Sequence, residues 1–480
     1  MHSAVLPLTH AIGERYELPI PLWLFVIGGA TVVVVSFLLV LRRASKPLPA
    51  DSPADVVPVG PFRPVLGTLG VVVTLLVGLT GVMGSQEKAE NISVLFFWIG
   101  LWVVVPMTVG LLGDWTRHVN PFSALAQLGG SPRLRKLVLA RTEPLTWSFG
   151  WWPAVAGFVA LVLGELVFNV HTTTPAFVGW TILLYGGASL FLGLLFGDGF
   201  RQRGEVFGGL WDAWGRLGFW RHGAPGARGF AGGLDVPFDA SPSRVVFVLL
   251  MLISINFDGL LSTPKWATFE DKLLATGDVS HDSSRECLTG GCYGFRSGSL
   301  VVLVLLVLAV FAAFALSSAR AGKLSTGPLR SLAHLLPSLV PIAYGYLIAH
   351  YLQYVITNGQ LIMPLLGNPV GFESWALHLP YPFNDSYEIN IKVLPNSFYW
   401  YLSVVVIVAV HVVAVVLANR RLSGRASSPA LARRSEYPWL VAMVAYTAFS
   451  LTLIAQPLTK GTSHASTAEH QVQVVHQGSP

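Results

Sequence analysis

Apolar runs of spanning length follow one another along the chain, at about 20–41, 65–83, 92–111, 147–167, 176–196, 243–262, 299–317, 332–356, 398–418 and 438–456. An α-helix needs about 20 apolar residues to cross the hydrocarbon core of a bilayer. The pattern therefore predicts an all-α, polytopic transmembrane helix bundle of about ten spans, forming one domain over residues 1–460. The polar segment 461–480 reads as a disordered tail. Residues 1–19 carry His2, His10, Glu14, Arg15 and Glu17 ahead of the first run, which starts too late and runs too long for a signal peptide. It reads as a retained anchor.

Charge orients the spans. With the N-terminus outside, the inner segments 42–64, 113–146, 197–244, 318–331 and 419–437 collect 23 of the 31 Lys and Arg residues. Basic residues are held on the cytoplasmic side, so this asymmetry predicts both termini outside, in a multi-pass protein of the bacterial plasma membrane. Composition agrees: 53% of residues are hydrophobic and 12% charged, against about a quarter charged in soluble domains. The formal charge of +6 is spread over short inner segments, which argues against a nucleic-acid partner and for a lipid bilayer. Two cysteines exclude a Cys-based zinc or iron–sulfur site, and neither a P-loop nor a Rossmann motif occurs.

The eighth run is the least ordinary. Between Leu336 and Tyr354 it carries His350 one turn from both Tyr346 and Tyr354, with Tyr344 and Tyr351 on a neighbouring face. Ionisable groups inside a membrane are costly enough to suggest function, although mutual hydrogen bonding between helices is the plainer alternative. In the sixth run, Ser254, Asp258 and Ser262 share one face. By rise per residue Asp258 lies roughly 6 Å inside the outer end, and His350 roughly 9 Å. Glu165 closes the fourth run on the same side, and His10 precedes the first. Two carboxylates and two imidazoles at similar depth can hold a divalent metal or act as a general acid/base pair. His411 lies past the midplane and reads as a packing histidine, while Tyr446, Ser450, Thr452 and Gln456 line the tenth run as cavity or glue.

Four connecting segments stand out. From Arg203 to Trp220, Phe207, Leu210, Trp211, Trp214 and Leu217 recur at helical spacing, which predicts an amphipathic helix on the inner surface. Asp114 and Arg117 are spaced to pair at a helix end. On the outer side, Cys287-Leu-Thr-Gly-Gly-Cys292 predicts a small-loop disulfide. The segment 357–397 carries Trp375, His378, Tyr381, Phe383 and Tyr387, suited to an interfacial anchor or a lid.

The run His10-Ala-Ile-Gly-Glu-Arg-Tyr-Glu-Leu-Pro-Ile-Pro21, with Phe257-Asp-Gly259, Ser338-Leu-Val-Pro-Ile-Ala343, Ala349-His-Tyr351 and Ala455-Gln-Pro457, resembles the bacterial multi-spanning proteins called fenitrothion hydrolases. The resemblance spans most of the chain as scattered short motifs. It implies hydrolysis of a small hydrophobic organophosphate triester at the membrane, by one subunit of a hetero-oligomer. The Cys pair and the His-bearing tail are departures from that pattern.

Three readings stay open. The first is an outward-facing membrane hydrolase in which a metal held by His10, Glu165, Asp258 and His350 activates water, with Tyr346 as donor to the leaving aryl oxide. The second is a secondary transporter using the same groups as a proton or ion relay; ten spans divide into two inverted fives, but the halves show no matching pattern. The third is a non-catalytic assembly protein of the membrane.

Overall fold

Apolar segments in a bilayer must satisfy their backbone internally, and every regular element among the described residues is a helix. The computed structural model describes residues 63–455 apart from 221–228, 237, 276 and 280–284, together with four isolated positions between 27 and 35. The first expected span, His10 and the 461–480 tail lie outside the described residues. Among the described residues the helices of the bundle are α1 (Arg63–Met83), α2 (Ile92–Leu112), α3 (Pro121–Gly129), α4 (Pro132–Leu139), α5 (Trp152–Leu166) and α6 (Pro175–Phe196). They continue as α7 (Val206–Gly215), α8 (Pro242–Leu261), α9 (Pro264–Leu273), α10 (Gly290–Ala321), α11 (Pro328–Leu335), α12 (Val340–Asn358), α13 (Asn396–Ser423) and α14 (Pro429–Ala455).

Six of these, α1, α2, α6, α8, α10 and α13, are long and apolar enough to cross a membrane. The bent pair led by α11 and α12 makes a seventh. The run expected over 147–167 is helical only from Trp152, because Gly150 turns the backbone at φ 57° and Pro153 begins the first helical turn. That leaves α5 at 15 residues. The break between α11 and α12 bends the chain by 49°. Pro337 and Pro341 bring no N–H to the break, and Ser338 covers the exposed backbone by donating to Leu335 O at 2.6 Å.

One helix is central. Along α8 every residue from Ser243 to Gly259 except the half-buried Val246 is buried, and α5, α10, α12 and α14 all pack on it. A helix that is apolar all round requires such an enclosed position. Away from this core, α1 and α6 approach through Gly81 and Gly179, where a Cβ on either would meet the backbone of the other. Small residues allow this approach where no water drives apolar surfaces together.

The segment expected as a surface helix is a correction. α7 lies inside the bundle, packed against α2, α5 and α12, with Phe207, Leu210, Trp211, Trp214 and the following Leu217 buried. Its polar positions meet protein: Asp212 pairs with Arg117 at 2.7 Å, and Arg117 in turn with Asp114 at 2.5 Å, the spacing pair anticipated from sequence. The helix start is held by Glu205, which is fully buried. Its carboxylate accepts from Phe207 N, Gly208 N, Asn120 Nδ2, Ser123 Oγ and Tyr185 OH at 2.7–3.1 Å.

At the opposite end, Cys287 and Cys292 are buried and disulfide-bonded, with Cα atoms 5.4 Å apart. Beside them Arg296 makes a two-point ion pair with the buried Glu270, at 2.7 and 3.0 Å. The segment after α12 is tied down by Gln360, which bonds Tyr387 OH and both backbone groups of Asn390, while Trp375, Leu377 and Tyr381 stay exposed.

Removing the Glu205 carboxylate orphans five buried or partly buried donors. Glu205→Ala is expected to lower stability by about 3 kcal/mol or more, since each orphaned buried donor costs about 1–3 kcal/mol. The thermal midpoint of the purified protein in detergent measures it, and an unchanged midpoint would show that α7 does not depend on its cap.

Candidate functional site

Four helices bring polar side chains together near the disulfide-bearing end. Asp258 sits, buried, in the last turn of α8. His350, on the third turn of α12, places Nε2 2.6 Å from Asp258 Oδ2, and the two side chains are 2% and 7% exposed, His350 first. At the end of α5, Glu165 is held by two donors: Tyr351 OH at 2.7 Å and Trp102 Nε1 at 2.7 Å. Tyr351 connects the two halves, because its ring also meets the His350 ring edge to face with centroids 4.6 Å apart. The Glu165 carboxyl is within electrostatic reach of Asp258 and His350.

Local chain geometry aims these groups. Residues Leu95–Val104 of α2 form a π-helical stretch ahead of Pro106, whose missing N–H leaves the preceding turns wide. Trp102 emerges from that stretch toward Glu165. Sequence reasoning missed Trp102 altogether, since an indole within an apolar run carries no periodic signal. Tyr351 had been noted only as a neighbour on the helix face.

Tyr346, expected as a donor at the same site, is elsewhere. One turn inward from His350, its ring faces His411 and Tyr446 at centroid distances of 6.2 and 6.4 Å. This inner cluster is neutral in character. His411 donates Nδ1–H to Ile407 O at 2.6 Å and meets Thr447 Oγ1 with Nε2 at 2.7 Å, while Asn256 bonds Tyr446 OH. The buried Tyr346 hydroxyl and Ser450 Oγ interact with each other in this layer.

Among the described residues no three His, Cys, Asp or Glu side chains are arranged to hold a metal ion. Asp258 turns an oxygen to His350, and both Glu165 oxygens are engaged by Tyr351 and Trp102. The metal set expected from Glu165, Asp258 and His350 thus rests on its fourth member, His10, outside the described residues. Chemically, the three groups that do meet can store and pass a proton: a hydrogen-bonded acid–imidazole pair with a second carboxylate one tyrosine away.

Among the described residues the fold and this site define an all-helical bundle with helices long and apolar enough to cross a membrane and a buried ionisable cluster. Comparison with protein-family models, curated proteins and solved structures finds no match to it.

Proposed function

We propose that this chain is a ten-span integral membrane protein of the plasma membrane in which Asp258, His350 and Glu165 form a proton-exchanging centre, serving proton-coupled transport. The observation that carries the reading is the 2.6 Å contact of Asp258 with His350, both side chains enclosed in the bundle. A lone charge there would be expensive, whereas an acid–imidazole pair shares a proton at short range and Glu165 supplies a second acceptor. Gaining or losing one proton then changes the net charge of a buried cluster, which gives a carrier a reason to prefer different conformations in the two states. The polar groups around Tyr346 and His411 support an inward continuation of the same route.

Infrared difference spectra, recorded while pH is stepped through the range where carboxyl and imidazole groups titrate, test this directly. A carboxyl band that titrates in the wild type should vanish in Asp258→Asn and shift its titration in His350→Gln. If no titrating band depends on Asp258, the centre does not exchange protons.

A second reading has support of its own. Two segments that resemble fenitrothion hydrolases, Phe257-Asp-Gly259 and Ala349-His-Tyr351, meet at the pair. In that role His350, oriented by Asp258, accepts a proton from water as the water oxygen bonds to phosphorus and the aryl oxide departs with the bonding electrons. A second membrane subunit and a divalent metal reaching His10 belong to this reading, and Tyr346 is not its donor. Purified wild-type protein, with and without divalent metal, would release the aryl oxide from an organophosphate triester. His350→Gln would then lower the rate at least about a hundredfold, the usual lower bound for losing a general base. No release by the wild type removes the hydrolase reading and leaves the proton centre standing.

Orientation follows from charge. With 23 of 31 basic residues in the inner segments, a periplasm-active reporter fused after residue 457 should be active and one near residue 136 silent. The reverse pattern would invert the topology and put the cluster in the inner half.

A further inference from the structure

The other end of the bundle holds a set of arginines that the proton-centre reading does not use. Arg244 stands in the first turn of α8, 2% exposed, with its guanidinium plane over the Trp151 ring at 3.7 Å and facing Phe238 at 5.0 Å. Arg216 lies over the same Phe238 ring at 4.4 Å. Both reach Asp212 Oδ2, at 3.6 and 3.4 Å respectively, while Asp212 gives its better bond to Arg117. Against burial, which alone would raise it, Arg216, Arg117 and Arg244 hold the Asp212 carboxyl well below the ordinary range. Arg421, also 2% exposed, donates to His334 O at 3.1 Å and to Leu234 O, and its neighbour Arg420 pairs with Asp235 at 3.0 Å. Leu234, Asp235 and Phe238 therefore bring all three guanidinium groups to one short stretch of chain.

Each of the three retains a buried N–H group with no partner: Arg216 Nη1, Arg244 Nη1 and Arg421 Nε. Stacking on Trp151 and Phe238 engages the guanidinium faces and leaves the donors at their edges unsatisfied. Charge points the same way. Arg117, Arg216, Arg244, Arg420 and Arg421 face Asp114, Asp212, Asp235 and Asp239, and Arg425 adds a further positive charge beside Arg421. Buried cationic donors left without partners are costly, and planar guanidinium forks match oxyanions with several oxygens. Asp235 Oδ1 is likewise unpartnered, an acceptor for the hydroxyl of a protonated phosphate.

We propose that the inner end of the bundle is a binding site for a phosphate-type oxyanion, held by Arg216, Arg244 and Arg421. The phosphate is either free in solution or carried on the headgroup of an anionic lipid of the inner leaflet. The site is separate from the Asp258–His350 cluster. Those residues occupy opposite ends of α8, roughly 21 Å apart by rise per residue.

The test uses the full chain in neutral detergent, with thermal midpoints recorded in two arms at fixed ionic strength: inorganic phosphate against chloride, and phosphatidylglycerol added to the micelles against phosphatidylcholine. A saturable rise with phosphate or with phosphatidylglycerol is expected, and the responding arm identifies the source. Arg216→Gln, at a partly exposed position, should weaken that response at least about tenfold, the scale of one lost hydrogen bond to a charged group. Arg133→Gln, an exposed arginine on α4, should leave it unchanged. If Arg216→Gln fails to fold, Arg421→Lys, which keeps the charge and loses the fork, replaces it with the same expectation. No saturable response in either arm, an equal response to chloride, or a response undiminished in the arginine variant that folds would overturn the site.

Discussion

A helix enclosed on every side cannot leave a charge unmatched, and α8 carries two. Arg244 stands in its first turn and Asp258 in its last, both buried. Neighbouring helices therefore have to bring partners to these two depths. Asp258 receives His350 from α12, and Arg244 receives Trp151 from the turn ahead of α5 and Asp212 from α7. The interior between them holds apolar residues and neutral polar pairs such as Asn256 with Tyr446 but no other charge on α8, so the registers of α5, α7 and α12 against α8 are specified at two points and not merely by packing. Buried ionic contacts add little net stability but penalise misalignment heavily, because a slipped register strands a charge in hydrocarbon.

The irregular turns serve the same end. An unbroken helix through Pro328–Asn358 could not both cover the inner end with α11 and aim His350 at Asp258; the bend at Ser338 separates these tasks, and Trp439 of α14 seals it by donating to Ser338 Oγ at 3.0 Å. In α2, the wide π-helical turns let Trp102 reach Glu165 while Trp98 reaches Thr172 O at 3.2 Å. Wide turns and proline breaks inside membrane helices persist where neighbouring side chains satisfy the freed backbone.

Much of this was legible in sequence where one residue type has one physical meaning. Twenty apolar residues in a row indicate a helix that can span. An acid or an imidazole inside such a run must find a partner, so depth alone brought Asp258, His350 and Glu165 to one level. What sequence could not resolve depends on what covers a face. The apolar stripe of Phe207, Leu210, Trp211, Trp214 and Leu217 has the same spacing on a surface helix as on an enclosed one. Only the arginines meeting Asp212 from distant segments distinguish the cases. Tyr346 was grouped with His350 because they are one turn apart, yet a turn along α12 carries the side chain from an ionisable layer into a neutral one. The 147–167 run was apolar enough, but Gly150 and Pro153 shortened its helix to 15 residues.

That difference between layers bears on whether the Asp258–His350–Glu165 cluster is only packing. Interhelical contacts deeper in the same bundle are made by neutral groups: Asn256 with Tyr446, His411 with Thr447, Trp439 with Ser338. These supply cohesion without the desolvation of a charge, so cohesion alone gives no reason for a different choice one turn away. At the level of Asp258 the chain places two carboxyl groups and an imidazole within reach of one another and surrounds them with Tyr351, Tyr354 and Trp102. An aspartate that must share its proton with histidine, beside a glutamate fixed by two donors, is a costly way to join helices and a direct way to hold a proton.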